Sequence, residues 1–268
     1  MRTLKFGANL AKREVMGIFS KANRSFYSVI LDGDECKFFF REIDGKRRVK
    51  NELLEYEQDV QNEYLDGKLA TFMTKTENKS GHLSILDTNL DHNFITNLDE
   101  FDGDADEYEF ENVASNFVIY YKKADANKID ECFKITFNAH ITPLKTLYFL
   151  YKNQECAKSS NLFVLKFNTK IAVILADEKN VKLAKNLQIK NDNDVCDEDE
   201  LLHSVIREII DEYYADDEAD FIDSIYIYGD DVSSQSGYLI FTKLFINTKI
   251  VPINLIDFLN KIAIKENR

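Results

Sequence analysis

Tryptophan is absent from the 268 residues, and proline occurs only at Pro143 and Pro252. With so few chain breakers, turns must be made by Gly, Asn and Asp, and a proline-rich linker is excluded. Glycine is also sparse, at nine residues, and none is spaced as GxGxxG or as a P-loop. Neither a dinucleotide-binding turn nor a Walker phosphate loop is therefore signalled. The four cysteines, Cys36, Cys132, Cys156 and Cys196, form no CxxC pair. That spacing signals neither a zinc site nor a redox motif, and it reads as reduced thiols of a cytosolic protein. His82, His92, His140 and His203 are scattered without HExxH spacing, and no nucleophile-elbow pattern surrounds Ser233, Ser234 and Ser236. No apolar run approaches 18 residues and no signal peptide is present, so no membrane-spanning helix is expected. Basic charge is the minority, 34 residues against 47 acidic, for a net charge of −13. Nucleic acid is disfavoured as a partner, because phosphate binding needs a basic footprint.

What the chain does have is apolar content, 44%, enough to fill a sizeable core. Its clearest stretch runs from Leu162 to Ile189. Two apolar runs, Leu162–Phe167 and Ile171–Ala176, and an alternating run, Val181–Ile189, are separated by Asn168-Thr169-Lys170 and Asp177-Glu178-Lys179-Asn180. This reads as a three-stranded meander. Upstream, Phe26–Leu31 and Lys37–Ile43 flank Asp32-Gly33-Asp34-Glu35, a hairpin signal. Glu52–Tyr64 reads as a helix, and 66–116 as short strands and long loops. Asp102, Asp104 and Asp106 alternate like a calcium loop. Glu107 stands where an EF-hand needs glycine and Val113 where it needs a bidentate Glu, so the stretch reads as a solvated acidic loop without metal. From Phe117 onward the order is strand, helix (125–137), short strand at His140, helix (144–151), the meander, helix (201–214), strand (224–228), helix (237–245), strand (249–251), helix (255–264). Asp197 is placed to cap the long helix, with Glu200 three residues on, and His203 reads as a surface or boundary residue. Such alternation means a covered α/β sheet.

Residues 1–24 carry Arg2, Lys5, Lys12, Arg13, Lys21 and Arg24 against Glu14 alone. Leu4, Ala8, Ala11, Val15, Ile18, Phe19 and Ala22 recur every three or four residues, predicting an amphipathic helix. One reading docks it on its own domain. The other sends Lys5, Lys12, Arg13, Ile18 and Phe19 to an anionic membrane surface or a partner's groove. The chain is thus divided into a basic amphipathic helix (1–24), a first subdomain with acidic loops (25–112) and a second subdomain (113–268).

The segments FVIYYKKADANKIDECFKITFNAHITPLKTLYFL, LFVLKFNTKIAVILADEKNVKLAKNLQI and IREIIDEYYADDEADFIDSIYIYGDDVSSQSGYLIFTKLFINTKIVPINL together resemble the second half of the actin-like (ribonuclease H-like) fold. The layout is most similar to the cytoplasmic PilM and GspL families of type IV pilus and type II secretion platforms. The resemblance implies a mixed sheet covered by helices. It also implies three nucleotide loops, which in actin-like ATPases are Asp-x-Gly phosphate turns and a Gly-Gly turn under the adenosine. Here the first falls at Asp32 and Gly33. The second falls at Lys166-Phe167-Asn168, with Lys166 in the carboxylate position and Asn168 in the glycine position. The third keeps Gly229, followed by Asp230 and Asp231.

Loops so altered lack the groups that bring Mg²⁺ and backbone N–H to phosphate. The expectation is a pseudo-ATPase with no cofactor, serving as a scaffold. It would lie in the cytoplasm against the inner membrane, binding a membrane protein of a pilus, secretion or DNA-uptake machine. A second copy of the chain is a further candidate partner. The alternative is an ATP-binding or ATP-hydrolysing enzyme of the actin, sugar-kinase and Hsp70 superfamily.

Overall fold

The computed structural model describes residues 23–46, 48–58, 64–76, 81–154, 159–189, 197–215, 219–230 and 232–267. Lys5, Lys12, Arg13, Ile18 and Phe19 therefore lie outside the described residues. So do Cys156, Cys196 and Asp231.

The described residues open with β1 (Arg24–Asp32), β2 (Glu35–Ile43) and β3 (Val49–Glu57), an antiparallel meander. The turn between β1 and β2 places Gly33 at φ +64°, a left-handed conformation that glycine adopts without a Cβ penalty. Helix α1 (Leu65–Lys75) then crosses to β4 (His82–Asp87), which lies parallel to β1. Next come β5 (His92–Ile95), β6 (Tyr108–Ala114) and β7 (Phe117–Lys122), which form a separate sheet in the order β5-β7-β6. Helix α2 (Lys123–Phe133) and the short β8 (Ala139–His140) return to the first sheet, completing the order β3-β2-β1-β4-β8. Helix α3 (Pro143–Lys152) leads into the second sheet. There β9 (Ser160–Lys166), β10 (Lys170–Ala176) and β11 (Val181–Gln188) make the expected meander. Helix α4 (Glu198–Tyr214), β12 (Ile222–Gly229), helix α5 (Ser234–Leu244), β13 (Asn247–Pro252) and helix α6 (Leu255–Glu266) follow, giving the order β11-β10-β9-β12-β13.

Strand alternation sorts the buried side chains into three cores. Tyr27, Val29 and Leu31 of β1 meet α1 and α2 on the outer face of the first sheet. Leu162 and Val164 of β9 meet α4 and α5 on the outer face of the second. Between the sheets, Ile30 and Phe39 share one core with Phe163, Leu165, Tyr226 and residues of α3 and α6. The two middle helices are exchanged. α3 follows the first sheet but packs on the second, and α6 follows the second but packs on β1, β2 and β4. Polar bonds fix α6 there: the Asn260 side chain donates to Phe26 O and to Ser28 Oγ, and Arg41 pairs with Asp257 at 2.5 Å.

Several expectations are corrected. The first half of the helix expected over 52–64 is strand β3, which runs to Glu57, and residues 59–63 lie outside the described residues. In β3, Leu53 and Leu54 lie opposite Phe40 and Phe39, so pairing with an aromatic-rich strand overrides local helix preference. The boundary at 112/113 falls inside β6, and α2 and β8 belong with the first sheet. Helix α2 stops at Phe133, because Lys134 turns to φ +50° and ends the hydrogen-bond ladder. Asp197 does cap α4, accepting from Asp199 N. Glu200 does not reach back to complete the cap, but pairs with Lys243 of α5 at 2.5 Å. His203 is not at the surface: it is 8% exposed, and its Nε2 finds no partner among the described residues. No helix among the described residues is long and apolar enough to cross a membrane.

Candidate functional site

The ends of β1, β9 and β12 converge between the two sheets. Their last residues and the turns after them bring Asp32, Lys166, Asn168 and Asp230 around one small cavity, joined by Glu35 and Lys37 of β2. Gly33 lies in the turn beside Asp32, and Gly229 ends β12 against the Lys166 carbonyl. A Cβ on Gly229 would stand 2.6 Å from the Val232 side chain and 3.4 Å from that carbonyl, so a larger residue there would push on the turn after β12. The five residues assigned to degenerate nucleotide loops are thus brought together by the fold.

The groups in this cleft are bonded to one another. The Asp32 carboxylate accepts from Asn168 N at 2.9 Å and from Thr88 Oγ1 at 3.2 Å. The Asn168 side chain bonds Glu35. Lys166 pairs with Glu198 at 2.6 Å, and Lys37 with Asp230 at 2.5 Å. The other Asp230 oxygen accepts from Leu255 N at 2.9 Å, tying β12 to the start of α6. Burial raises the Asp32 pKa, against the hydrogen bonds that favour its charge. Burial works the same way on Glu35, but bonds from Tyr56 and Asn168 and the Lys37 charge outweigh it, so its pKa is lowered. Asp87, beside Asp32 at the end of β4, is also raised by burial. The cavity left is about 40 Å³. That is room for a few waters, well below the roughly 300 Å³ at which small-molecule sites begin.

Sequence reasoning missed Glu35, Lys37 and Glu198. Lys37 was legible through parity, since it lies on the β2 face that carries Phe39 and Arg41 toward the middle layer. Glu198 was not, because its partner is set by how α4 meets β9.

A second concavity, of about 370 Å³, lies beneath the small sheet, between β6 and the α2–β8 segment. Lys145, at the start of α3, pairs there with Glu111 of β6 and with Glu266 of α6, the latter at 2.8 Å. His140 pairs with Asp130 at 3.0 Å. Its pKa is lowered by burial, against the pull of Asp130. Glu111 Oε2 and His140 Nδ1 are buried without a hydrogen-bond partner among the described residues. Among those residues no cluster of His, Cys, Asp and Glu is arranged to hold a metal.

Solved structures share this fold. A Bacteroides thetaiotaomicron protein of actin-like ATPase fold and unknown function aligns over 90% of this chain and 94% of its own. Its TM-score is 0.60, at 14% identity. The fold is actin-like. A PilM–PilN type IV pilus biogenesis complex aligns over 88% of this chain and 94% of its own, with a TM-score of 0.57 at 9% identity. An exopolyphosphatase from Cytophaga hutchinsonii is more distant, at TM-score 0.42 and 8% identity, over 77% and 67% of the two chains. In sequence, a domain of unknown function, DUF8341, matches residues 196–268, the stretch that holds α4, β12, α5, β13 and α6. A search of curated proteins finds no match.

Proposed function

We propose that the chain is a non-catalytic actin-like scaffold. On this reading it sits at the cytoplasmic face of the inner membrane and joins a membrane protein of a pilus, secretion or DNA-uptake machine to cytosolic components. The observation that carries the proposal is the internal bonding of the interlobe cleft. Phosphate binding there needs free N–H donors and an available cation. The Asn168 N–H is taken by Asp32, and both lysines are paired with carboxylates. Opening these contacts for a triphosphate would leave Asp32, Glu35 and Asp230 facing like charge. The partner class is suggested by the likeness to the PilM–PilN complex. The partner's segment would fit the groove under the small sheet, where Glu111 Oε2 and His140 Nδ1, without partners among the described residues, could each accept from a donor.

The competing reading, an ATP-using enzyme, rests on Asp32, Gly33 and Lys166 lying where phosphates would bind. Titration calorimetry with ATP and Mg²⁺ separates the two. We expect no specific heat. Micromolar binding that is abolished by Lys166→Ala or Asp32→Ala would overturn the scaffold reading in favour of an ATP-binding cleft.

A further inference from the structure

Helix α5 is apolar on two opposite sides. On the inner side, Ile240 belongs to the outer core of the second sheet and Leu244 packs against it. A Cβ on Gly237 would stand 2.8 Å from the Ile250 side chain of β13, so the helix lies close on that strand. On the other side, Tyr238, Phe241 and Phe245 fall at i, i+3 and i+7 and are exposed, Phe245 by 86%. A helix that is apolar all round is ordinarily buried all round. Phe245 also lines a groove of about 790 Å³, together with Ile210, Leu244 and Ile246 and with the exposed rings of Tyr214 and Phe221. These five aromatics are half of the large exposed apolar side chains among the described residues. Phe245 holds φ +56°, the helix-ending position where glycine is usual. A bulky aromatic there gives up backbone ease and solvation together, so local folding does not call for it.

We infer that this surface is the two-fold interface of a homodimer, with Phe245 of each copy seated in the groove of the other. Area, shape and charge each select a second copy as the occupant. An aromatic side chain carries about 150–250 Å² of surface, so the five rings leave on the order of 600 Å² in solvent. That is the upper end of the largest apolar patch on an ordinary monomer, about 300–600 Å². It is also about three-quarters of the roughly 800 Å² that each partner buries in a standard interface. A two-fold contact needs a projecting and a receiving group on one patch, because residue i meets j while j meets i. Phe245 projects at the edge of the groove that would receive it, so one patch carries both. Every charged side chain lining the groove is already paired within its own chain: Lys243 with Glu200 at 2.5 Å, and Arg207 with Asp211 at 3.6 Å. A membrane surface or a peptide of one charge sign therefore meets no waiting counter-charge there, and recognition falls to the rings. Copies that each carry a net −13 repel one another over most approaches. A charge-balanced patch rich in aromatics is where they can meet without adding to that repulsion.

The inference is independent of what the interlobe cleft binds. Sedimentation velocity of the full-length chain over a range of concentrations tests it, with three variants. Phe245→Gly removes the projecting ring at a position glycine prefers, so its melting temperature should hold or rise. Tyr238→Lys puts a charge on the exposed stripe of α5 without touching its inner side. Val49→Lys changes an exposed apolar residue of β3, on the first sheet, and serves as the control. Wild type is expected to dimerise and to go no further, since a two-fold contact closes on itself. Phe245→Gly and Tyr238→Lys should each lose about tenfold or more in affinity, as central aromatic anchors do. Val49→Lys should dimerise like wild type. High sodium chloride should leave the dimer intact, because screening removes little from an apolar contact whose rim charges are internally paired. Five results would overturn the inference. They are a wild type monomeric throughout, dimerisation indifferent to both α5 variants, equal loss in Val49→Lys, assembly that continues past the dimer, and dissociation by salt. A monomer that floats with anionic vesicles until Phe245→Gly is introduced would give the surface to a membrane instead.

Discussion

His92 is 2% exposed, at the start of β5. Its Nδ1–H donates to Leu90 O at 2.8 Å, which leaves Nε2 to accept from Leu144 N at 3.4 Å, so the ring is held as one neutral tautomer. Burial, the largest influence, pushes its pKa from 6.5 to about 4. Between those values the unfolded chain binds a proton that the folded chain does not. Stability from this group is therefore complete above pH 6.5 and drains away as pH falls toward 4, by on the order of 3 kcal/mol. His92→Ala gives up the two bonds. The stability gap between wild type and this variant should be widest at neutral pH and shrink toward pH 4 in urea titrations. A gap that stays constant with pH would refute a buried neutral ring. None of this was legible in the sequence, where His92 was one of four isolated histidines. Its role depends on a loop returning it to the helix that follows β8.

The elements themselves were more legible than their partners. The meander β9–β11 and helix α4 carry unmixed periodicity, so pattern alone places them. β3 carries Leu53, Leu54 and Tyr56 at spacings that also suit a helix turn. Only the register against Phe38, Phe39 and Phe40 decides it, and that is a long-range fact. Lys145 shows the same limit. In sequence it is one lysine on an apolar helix, and in the fold it joins β6, α3 and α6 through Glu111 and Glu266 with its side chain 4% exposed. Burial raises the Glu111 pKa, and Lys145 opposes that rise. Lys145→Met strands the Glu111 charge and should lower stability by about 3 kcal/mol. Adding Glu111→Gln should recover part of the loss. If the double variant is as unstable as the single, the cost lies in packing and not in charge.

At the scale of the molecule, the exchange of α3 and α6 makes the two sheets one folding unit. Nothing local in Leu255–Glu266 says which sheet it covers. The answer is carried by Asn260 against Ser28 and by Arg41 against Asp257. The candidate site has the same origin, because its residues come from strand ends far apart in sequence. The triplet Lys166-Phe167-Asn168 signalled only that a phosphate turn was altered. That Asn168 bonds Asp32, 136 residues away, follows from the way the sheets meet. The intact chain should unfold in one calorimetric transition. A fragment of residues 113–268, which has α6 but neither β1 nor β2 to receive it, should bind ANS and melt without a sigmoid. Cooperative melting of that fragment would show that the second sheet stands alone.

The exchange also sets an order in time. Phe26 leaves the ribosome early, yet the Asn260 side chain that bonds its carbonyl is made 234 residues later. At about 5–20 residues per second, that interval is roughly 10 to 50 seconds. For its whole length the inward face of β1 and β2, with Ile30 and Phe39, has no α6 to cover it. The first described strand is thus among the last to be sealed: α3 and β9 can reach its inward face earlier, but α6 closes it only at the end of synthesis.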